Sequence, residues 1–293
     1  MNPTATVAFV GLGVMGLPMA ANLARGGFRV LGHDLAPGAQ AAARSRQVGW
    51  SDTLPAAAEA ADVVITMLPN GAAAHDVAEV LTQHMRPDAL YIDMSTIAPD
   101  DTDKLNLRFT ERGIRMVDAP VARSSKEAEE GRLLIMAGGR DEDIDRARPL
   151  FSLLADTVMH CGPVGSGSRM KLVNNYMSLT INVVTAEALA MAQRSGLQLD
   201  TVYGVLSQTV AGKGHLTTTY PAKAFKGDLE PGFMIDLARK DIGLILAMAE
   251  SAGVPAATAR AALTVYDTAS RNGRGRQDHT AVYEMCLKGG PWS

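Results

Sequence analysis

The stretch VAFVGLGVMGLPMAANL, residues 7–23, decides the fold. An apolar run ends at Val10, glycines follow at positions 11, 13 and 16, and helix-forming residues come next. In a G-x-G-x-x-G turn between strand and helix, the glycines permit a tight turn and close backbone approach, while the free N–H groups of the helix start face a pyrophosphate. Gly11, Leu12, Gly13, Val14, Met15 and Gly16 are therefore the first candidate cofactor residues. A glycine turn that only packs a helix onto a sheet is the competing reading. Asp34, 21 residues beyond Gly13 and at the end of FRVLGHD, stands where a carboxylate can accept hydrogen bonds from both ribose hydroxyls. A 2′-phosphate would meet that carboxylate, and FRVLGHDLA offers no arginine past the strand end. The expected cofactor is NAD, with NADH preferred over NADPH.

Working outward, apolar runs recur at DVVITML, ALYIDM, IRMVDA, RLLIMAG and TVMHC, alternating with helical stretches. That alternation predicts a mostly parallel, doubly wound α/β Rossmann domain with helices on both faces. After GPVGSGSR the pattern changes. MKLVNNYMSLTINVVTAEALAMAQRSG reads as one long helix ending at Gly196, and DLARKDIGLILAMAESAG and AATARAALTVYDTASRNG read as helices too. The expected division is an NAD-binding domain over 1–164 and an all-helical domain for substrate and oligomerisation over 165–293.

At 293 residues the chain is long enough for two domains, and a net charge of −3 with no long basic run argues against a nucleic-acid surface. Cys161 and Cys286 form no CxxC pair, and the six histidines show no metal-ligand spacing, so neither a disulfide framework nor a metal site is expected. No basic-then-apolar leader and no membrane-spanning run is read, which makes the expectation a cytoplasmic protein without a membrane partner.

Two further patterns bear on chemistry. Lys171, Asn174, Asn175 and Ser178 are spaced i, i+3, i+4, i+7, so they share one face of a helix that is otherwise apolar nearly all round and is expected to be buried. If that stripe faces a cleft, Lys171 is a general acid/base candidate, because desolvation lowers a lysine pKa and Asn175 can hold the ammonium or a substrate oxygen. A solvated stripe or an inter-domain contact is the bland alternative. In DAPVARSSKE, residues 118–127, no acidic side chain stands beside Arg123 until Glu127. An anion from outside is one candidate partner. In LARKDIGLIL, Lys240 and Asp241 read on their own as a surface or capping pair near a helix start.

Together GLGVMGLPMAANL, the MLPNG loop, IDMST, DAPV with its loop and GRLLIMAGG, GSGSRMKLVNNY and GFMIDLARKDIGLIL resemble the β-hydroxyacid dehydrogenase family, related to 3-hydroxyisobutyrate dehydrogenase, along the whole chain. The resemblance implies a Rossmann domain, a helical domain that oligomerises as a homodimer or homotetramer, and a cleft between them. It implies a proton-donating Lys171 aided by Asn175, and cofactor contacts from Met67, Leu68, Thr96 and Lys240. It also implies substrate contacts from Ser95, Ala122, Arg123, Ser124, Asn174, Asn175 and Ser178. Most members carry Ser-Gly-Gly where this chain has Ala122, Arg123 and Ser124. The sulfolactaldehyde-reducing branch is more similar, with an arginine at that place and stretches like MKLVNNYMS, AGKGH, FMIDLA and GRGRQD, although its first loop residue is usually glycine rather than alanine. What that branch implies is NADH-dependent reduction of 3-sulfolactaldehyde to 2,3-dihydroxypropane-1-sulfonate, with a small anionic aldehyde as partner and a sulfonate held by Arg123, Ser124, Asn174 and Ser178. The alternative keeps the chemistry and changes the acid: a carboxylate semialdehyde or 3-hydroxyacid, such as succinate semialdehyde, 3-hydroxyisobutyrate or tartronate semialdehyde. A scaffold protein that has lost catalysis and an imine reductase are both disfavoured by the presence of Lys171.

Overall fold

The Rossmann half grows from strands that need no alternation, because both of their faces are covered. β1 (Thr6–Val10), β4 (Val63–Thr66) and β5 (Leu90–Asp93) are buried at every residue, as expected of parallel strands between two helical layers. With β2 (Arg29–His33), β3 (Gly49–Trp50) and β6 (Arg115–Asp118) they form a parallel array in the order β3-β2-β1-β4-β5-β6. β7 (Val121–Ala122) and β8 (Leu133–Gly138) extend it antiparallel to the neighbours they pair with, and β9 (Ala155–Gly162) runs parallel to β8. All seven expected strands are present. β3 and β7 are two residues long, too short to leave a periodic signal.

The computed structural model describes residues 5–288, which divide into two compact units between Tyr176 and Met177. The first unit holds α1 (Gly16–Arg25), α2 (Ala39–Ser45), α3 (Leu54–Ala60), α4 (Gly71–His84), α5 (Pro99–Thr110), α6 (Ser125–Glu130) and α7 (Asp141–Leu154). Side-chain oxygens of Thr53 and Asn70 accept the backbone N–H bonds of Ala56 and Ala73, starting α3 and α4. Two core layers result. Met19, Leu23, Leu150 and Phe151 pack in one, and Ala57, Leu81, Leu105 and Phe109 in the other, where the Tyr91 and Phe109 rings stack at 4.1 Å.

α8 (Ser166–Arg194) begins in the first unit, and its start is fixed by one buried carboxylate. Gly165 N–H donates to Asp118 Oδ1 and Ser168 N–H to Asp118 Oδ2, each at 2.7 Å, while the Ser168 and Thr102 hydroxyls hydrogen-bond at 2.9 Å. Burial pushes the Asp118 carboxyl above its usual range, and the backbone donors at the helix start pull the other way. Two glycines make room for the joint. A Cβ on Gly167 would stand 2.3 Å from Met136 O, and one on Gly138 would stand 2.3 Å from Asp118 Oδ1.

The second unit is built from the rest of α8 with α9 (Leu199–Leu206), α10 (Val210–Lys213), α11 (Thr219–Ala222), α12 (Ile235–Ala252), α13 (Ala257–Ala269) and α14 (Val282–Lys288). The Asp278 carboxylate of GRGRQD accepts from Gly232 N, Phe233 N, Thr280 N and the Thr280 hydroxyl. Burial opposes its charge, yet these donors outweigh that and hold its pKa at about 2. Among the described residues no helix is long and apolar enough to cross a membrane.

One expectation needs correction. α8 was expected to be buried nearly all round, but within the single chain Val173, Tyr176, Leu179 and Ile181 are exposed, Tyr176 by 74% and Leu179 by 65%. Apolar periodicity shows that a face needs cover and does not say that the same chain supplies it.

The joint at Asp118 gives a direct test. Gly167→Ala forces a methyl against backbone that cannot swing away, so it should destabilise the first unit by roughly 1–3 kcal/mol in chemical denaturation. An unchanged denaturation midpoint would show that the start of α8 is not locked to β6 and β8.

Candidate active site and cofactor groove

The chains leaving the paired strands β1 and β4 turn to opposite faces of the sheet where the strand order reverses, and a groove of about 620 Å³ opens beyond their C-terminal ends. Gly11, Gly13, Met15, Asp34, Met67 and Leu68 contribute to its walls, as do Val14 and Gly16. The three glycines do different work. Gly11 has φ +91°, and a Cβ there would lie 2.3 Å from Met67 O; a Cβ on Gly16 would lie 1.9 Å from Gly11 O. Both serve packing and turn geometry. A Cβ on Gly13 would meet nothing within 4 Å, so packing does not explain that glycine, whereas close approach of a ligand does.

No side chain caps α1 and its first turn carries no acidic residue; Leu17 N–H is taken by the Gly13 carbonyl and Pro18 has none, so the N–H groups of the turn from Gly13 to Gly16 are the ones placed to meet an anion. Asp34 is held in place from two sides: Leu12 N–H donates to Oδ2 at 2.6 Å and Ala36 N–H to Oδ1 at 2.7 Å. Leu12 itself is buried, with its side chain close to Gly32, so it acts through its backbone and its side chain is absent from the groove wall. His33, Leu54, Ala73, Asp76 and Val77 also line the groove and were not anticipated. The position of α4 directly after β4, the strand beside the reversal, is the signal that points to Ala73, Asp76 and Val77. The shape and donor set fit a dinucleotide.

The C-terminal ends of β5 and β6 lie on the same edge of the sheet, since the strands are parallel to β1 and β4. After β5, Ser95 is buried: its hydroxyl accepts from Leu68 N–H at 2.8 Å and its own N–H donates to Asp93 Oδ1. Ser95 thus fastens the β4 loop to the β5 loop, while Thr96 beside it is exposed. After β6, the Asp118 joint sets Lys171 one helical turn beyond Ser168 on α8. Lys171 is half-buried, and burial alone lowers its pKa from the ordinary 10.5. Asn174 and Asn175 are likewise half-buried, with Asn174 Nδ2 donating to Asn175 Oδ1 at 3.2 Å. Three of the four stripe residues, Lys171, Asn174 and Asn175, are therefore less exposed than their apolar neighbours Val173 and Tyr176.

The loop between β7 and α6 holds Ala122, Arg123 and Ser124. Arg123 has φ +83°, a left-handed conformation that glycine adopts freely and arginine does not. Its Nη1 donates to Asp156 Oδ2 on β9 at 2.7 Å and to the Arg132 carbonyl. Ser124 is the N-cap of α6 in a capping box with Glu127: its Oγ donates to Glu127 Oε2 at 2.5 Å, and Glu127 Oε2 also accepts from Ser124 N–H at 2.9 Å. Arg123 has an acidic partner after all, 33 positions away in sequence.

Ser178 and Lys240 belong to the second unit. Ser178 is exposed; Lys240 is exposed too and pairs with Asp241 at 3.0 Å. α12 starts at Ile235, so this pair lies in the second turn of the helix rather than at its start.

A dinucleotide groove beyond the sheet edge, and a half-buried lysine near the start of α8, are features that hydride exchange between a carbonyl and an alcohol can use. Comparison with known proteins agrees. Residues 6–162 match the family model for the NAD binding domain of 6-phosphogluconate dehydrogenase, and residues 165–286 that for the NAD-binding of NADP-dependent 3-hydroxyisobutyrate dehydrogenase. The chain is 41% identical to the 3-sulfolactaldehyde reductase of Escherichia coli K12, over 96% of this chain and 95% of that one. It is 33% identical to the NAD-dependent L-serine dehydrogenase of Pseudomonas aeruginosa, over 95% and 97%. A solved structure of Mycobacterium tuberculosis 3-hydroxyisobutyrate dehydrogenase with L-serine superposes with a TM-score of 0.70 at 32% identity, covering 97% of this chain and 99% of that one. The chain belongs to the β-hydroxyacid dehydrogenase family of NAD-binding oxidoreductases.

Proposed function

We propose that this enzyme reduces 3-sulfolactaldehyde to 2,3-dihydroxypropane-1-sulfonate with NADH. The observation that carries the reading is Arg123 in a left-handed backbone conformation where most of the family has glycine. A non-glycine residue there costs on the order of 1 kcal/mol, and a cost of that kind persists where the side chain is used. The 41% identity to a 3-sulfolactaldehyde reductase supports the same substrate. The similarity to a serine dehydrogenase at 33% favours the second reading, a carboxylate-bearing semialdehyde or hydroxyacid.

When bound in the groove, NADH supplies the hydride that adds to the aldehyde carbon. Lys171 gives its Nζ proton to the oxygen as the alkoxide forms, and Asn175 orients that oxygen or the ammonium. Arg123, Ser124, Asn174 and Ser178 hold the sulfonate, so that the carbonyl is presented in a reactive pose. Both donors of Ser124 go to Glu127 in its capping box, so its share in holding the sulfonate requires the hydroxyl to turn from Glu127 to the ligand. Thr96 and Lys240 contribute to cofactor binding. The exposed apolar face of α8 supports a homodimer or homotetramer as the working form.

The cofactor assignment predicts that NADH exceeds NADPH in kcat/KM by about tenfold or more, because Asp34 meets the 2′-phosphate without a compensating cation. Gly13→Ala should leave stability within about 0.5 kcal/mol while weakening NADH binding at least about tenfold, since its Cβ enters open space that only a ligand would use. Equal use of both cofactors would overturn the Asp34 argument, and unchanged NADH affinity in Gly13→Ala would remove the dinucleotide from this turn.

For the proton donor, Lys171→Ala should lower kcat by about two to four orders of magnitude with NADH binding nearly intact. Reduction needs the protonated amine and its pKa is lowered, so the wild-type rate should fall on the alkaline side at a pH below the ordinary lysine value of 10.5. A large rise in the NADH dissociation constant with a small kcat change would reassign the residue to binding.

For the anion, Arg123→Ala should reduce kcat/KM for sulfolactaldehyde by about 30- to 1000-fold, and Arg123→Lys should restore only part, because an ammonium lacks the fork of donors. Sulfolactaldehyde should exceed carboxylate semialdehydes by at least about tenfold. Faster turnover of a carboxylate semialdehyde would select the second reading.

A further inference from the structure

Arg123 reaches its loop already half-engaged. Asp156 Oδ2 and the Arg132 carbonyl both accept from the same nitrogen, Nη1, and among the described residues neither Nε nor Nη2 donates to anything. Asp156 is itself fixed, since the Thr157 hydroxyl donates to its Oδ1 at 2.8 Å. The pair is about one-third and one-half exposed, and an exposed pair of this kind adds little to stability. Fold stability therefore does not account for placing Arg123 at positive φ opposite a carboxylate.

Nearby charges are balanced in number. Arg132 Nη2 lies 3.2 Å from Glu130 and Arg46 pairs with Glu129 at 2.5 Å, while Lys126 stands next in sequence to Glu127, whose carboxylate is taken up by Ser124. The loop thus presents a guanidinium whose charge is largely balanced but whose second edge still offers two donors. Such an edge fits two oxygens of a tail bearing one negative charge. A tail bearing two would bring its second charge toward Asp156, in a neighbourhood where the cations Arg46, Arg123, Lys126 and Arg132 are already balanced by Glu127, Glu129, Glu130 and Asp156.

Resting on the reading of Arg123 as the substrate's anchor, we propose that Asp156 is a specificity-determining residue that selects monoanionic tails, such as sulfonates, over dianionic phosphate monoesters. It acts through Arg123: it holds Nη1, turns the free edge outward and lowers the net charge of the anion site. Discrimination arises as much from repulsion of the wrong substrate as from attraction of the right one.

The test compares two aldehydes with the same carbon skeleton, sulfolactaldehyde and glyceraldehyde 3-phosphate, at about pH 8, where the phosphate monoester carries close to two charges. Asp156→Asn keeps the shape and removes the charge. It should raise kcat/KM for the phosphate aldehyde about three- to thirtyfold relative to sulfolactaldehyde, the range expected for one unscreened charge near a protein surface. Asp156→Glu, which keeps the charge, should retain the wild-type ratio, and the thermal midpoint and NADH affinity of both variants should match the wild type. An unchanged ratio in Asp156→Asn, or an equal change for both aldehydes, overturns the proposal. If Arg123→Ala leaves sulfolactaldehyde turnover unaltered, the anchor reading itself is wrong; if Arg123→Ala lowers it and Asp156→Asn leaves the ratio unmoved, the anchor stands and only the selector role of Asp156 falls.

Discussion

The Asp118 carboxylate, buried between the end of β6 and the start of α8, is the interaction on which the catalytic reading depends. α8 is 29 residues long and belongs to both compact units, yet the part bearing Lys171 is tied to the sheet by this carboxylate, and to α5 by the Thr102–Ser168 contact and the Arg169–Asp103 ion pair. A carboxylate at a helix N-terminus receives N–H bonds and a favourable dipole, which offset part of the cost of burying its charge. Gly138 and Gly167 let two backbones close around it. A lysine on a long helix would otherwise inherit every bend of that helix. Anchored one turn away, Lys171 is positioned by the same sheet edge that carries the dinucleotide turn.

Much of this was legible in the sequence because it depends on backbone demands that only certain residues meet. Gly11 and Gly16 lie where any Cβ would clash, and Asp34 lies where the second strand ends; both requirements are local and leave a spacing signature. The long helix was legible for its length and its stripe. What was not legible is what depends on residues distant in sequence. The partner of Arg123 sits on β9, the burial of Ser95 follows from how two loops meet, and Leu12 turns inward because Gly32 leaves space for it. A strand of two residues such as β7 has no periodicity to detect, although it places the Arg123 loop.

α8 also inverts the usual relation between polarity and exposure. Lys171, Asn174 and Asn175 are the half-buried members of its first turns, while Val173 and Tyr176 face outward. Water would prefer the reverse arrangement, and the amphipathic rule for a surface helix would predict it. The inversion follows if each face answers to something outside the single chain: the polar face to a ligand whose oxygens need donors, the apolar face to another copy of the protein. Desolvation of Lys171 belongs to the same arrangement, since the packing that partly shields the amine also lowers its pKa.

The two anion-recognising features of the first unit meet charge by different means. At the groove, the donors are backbone N–H groups of the glycine turn before α1, beside the carboxyl side chains of Asp34 and Asp76. At the β7–α6 loop the donor is a guanidinium already facing a carboxylate. In neither place does a surplus of positive charge gather the ligand, in keeping with a chain whose net charge is −3. On the proposed reading, binding rests on hydrogen-bond geometry and negative side chains narrow the choice, Asp34 against an added phosphate on the ribose and Asp156 against an added charge on the substrate's tail. A protein built this way gives up long-range attraction of anions in general, and gains discrimination among small anions that differ by a single charge.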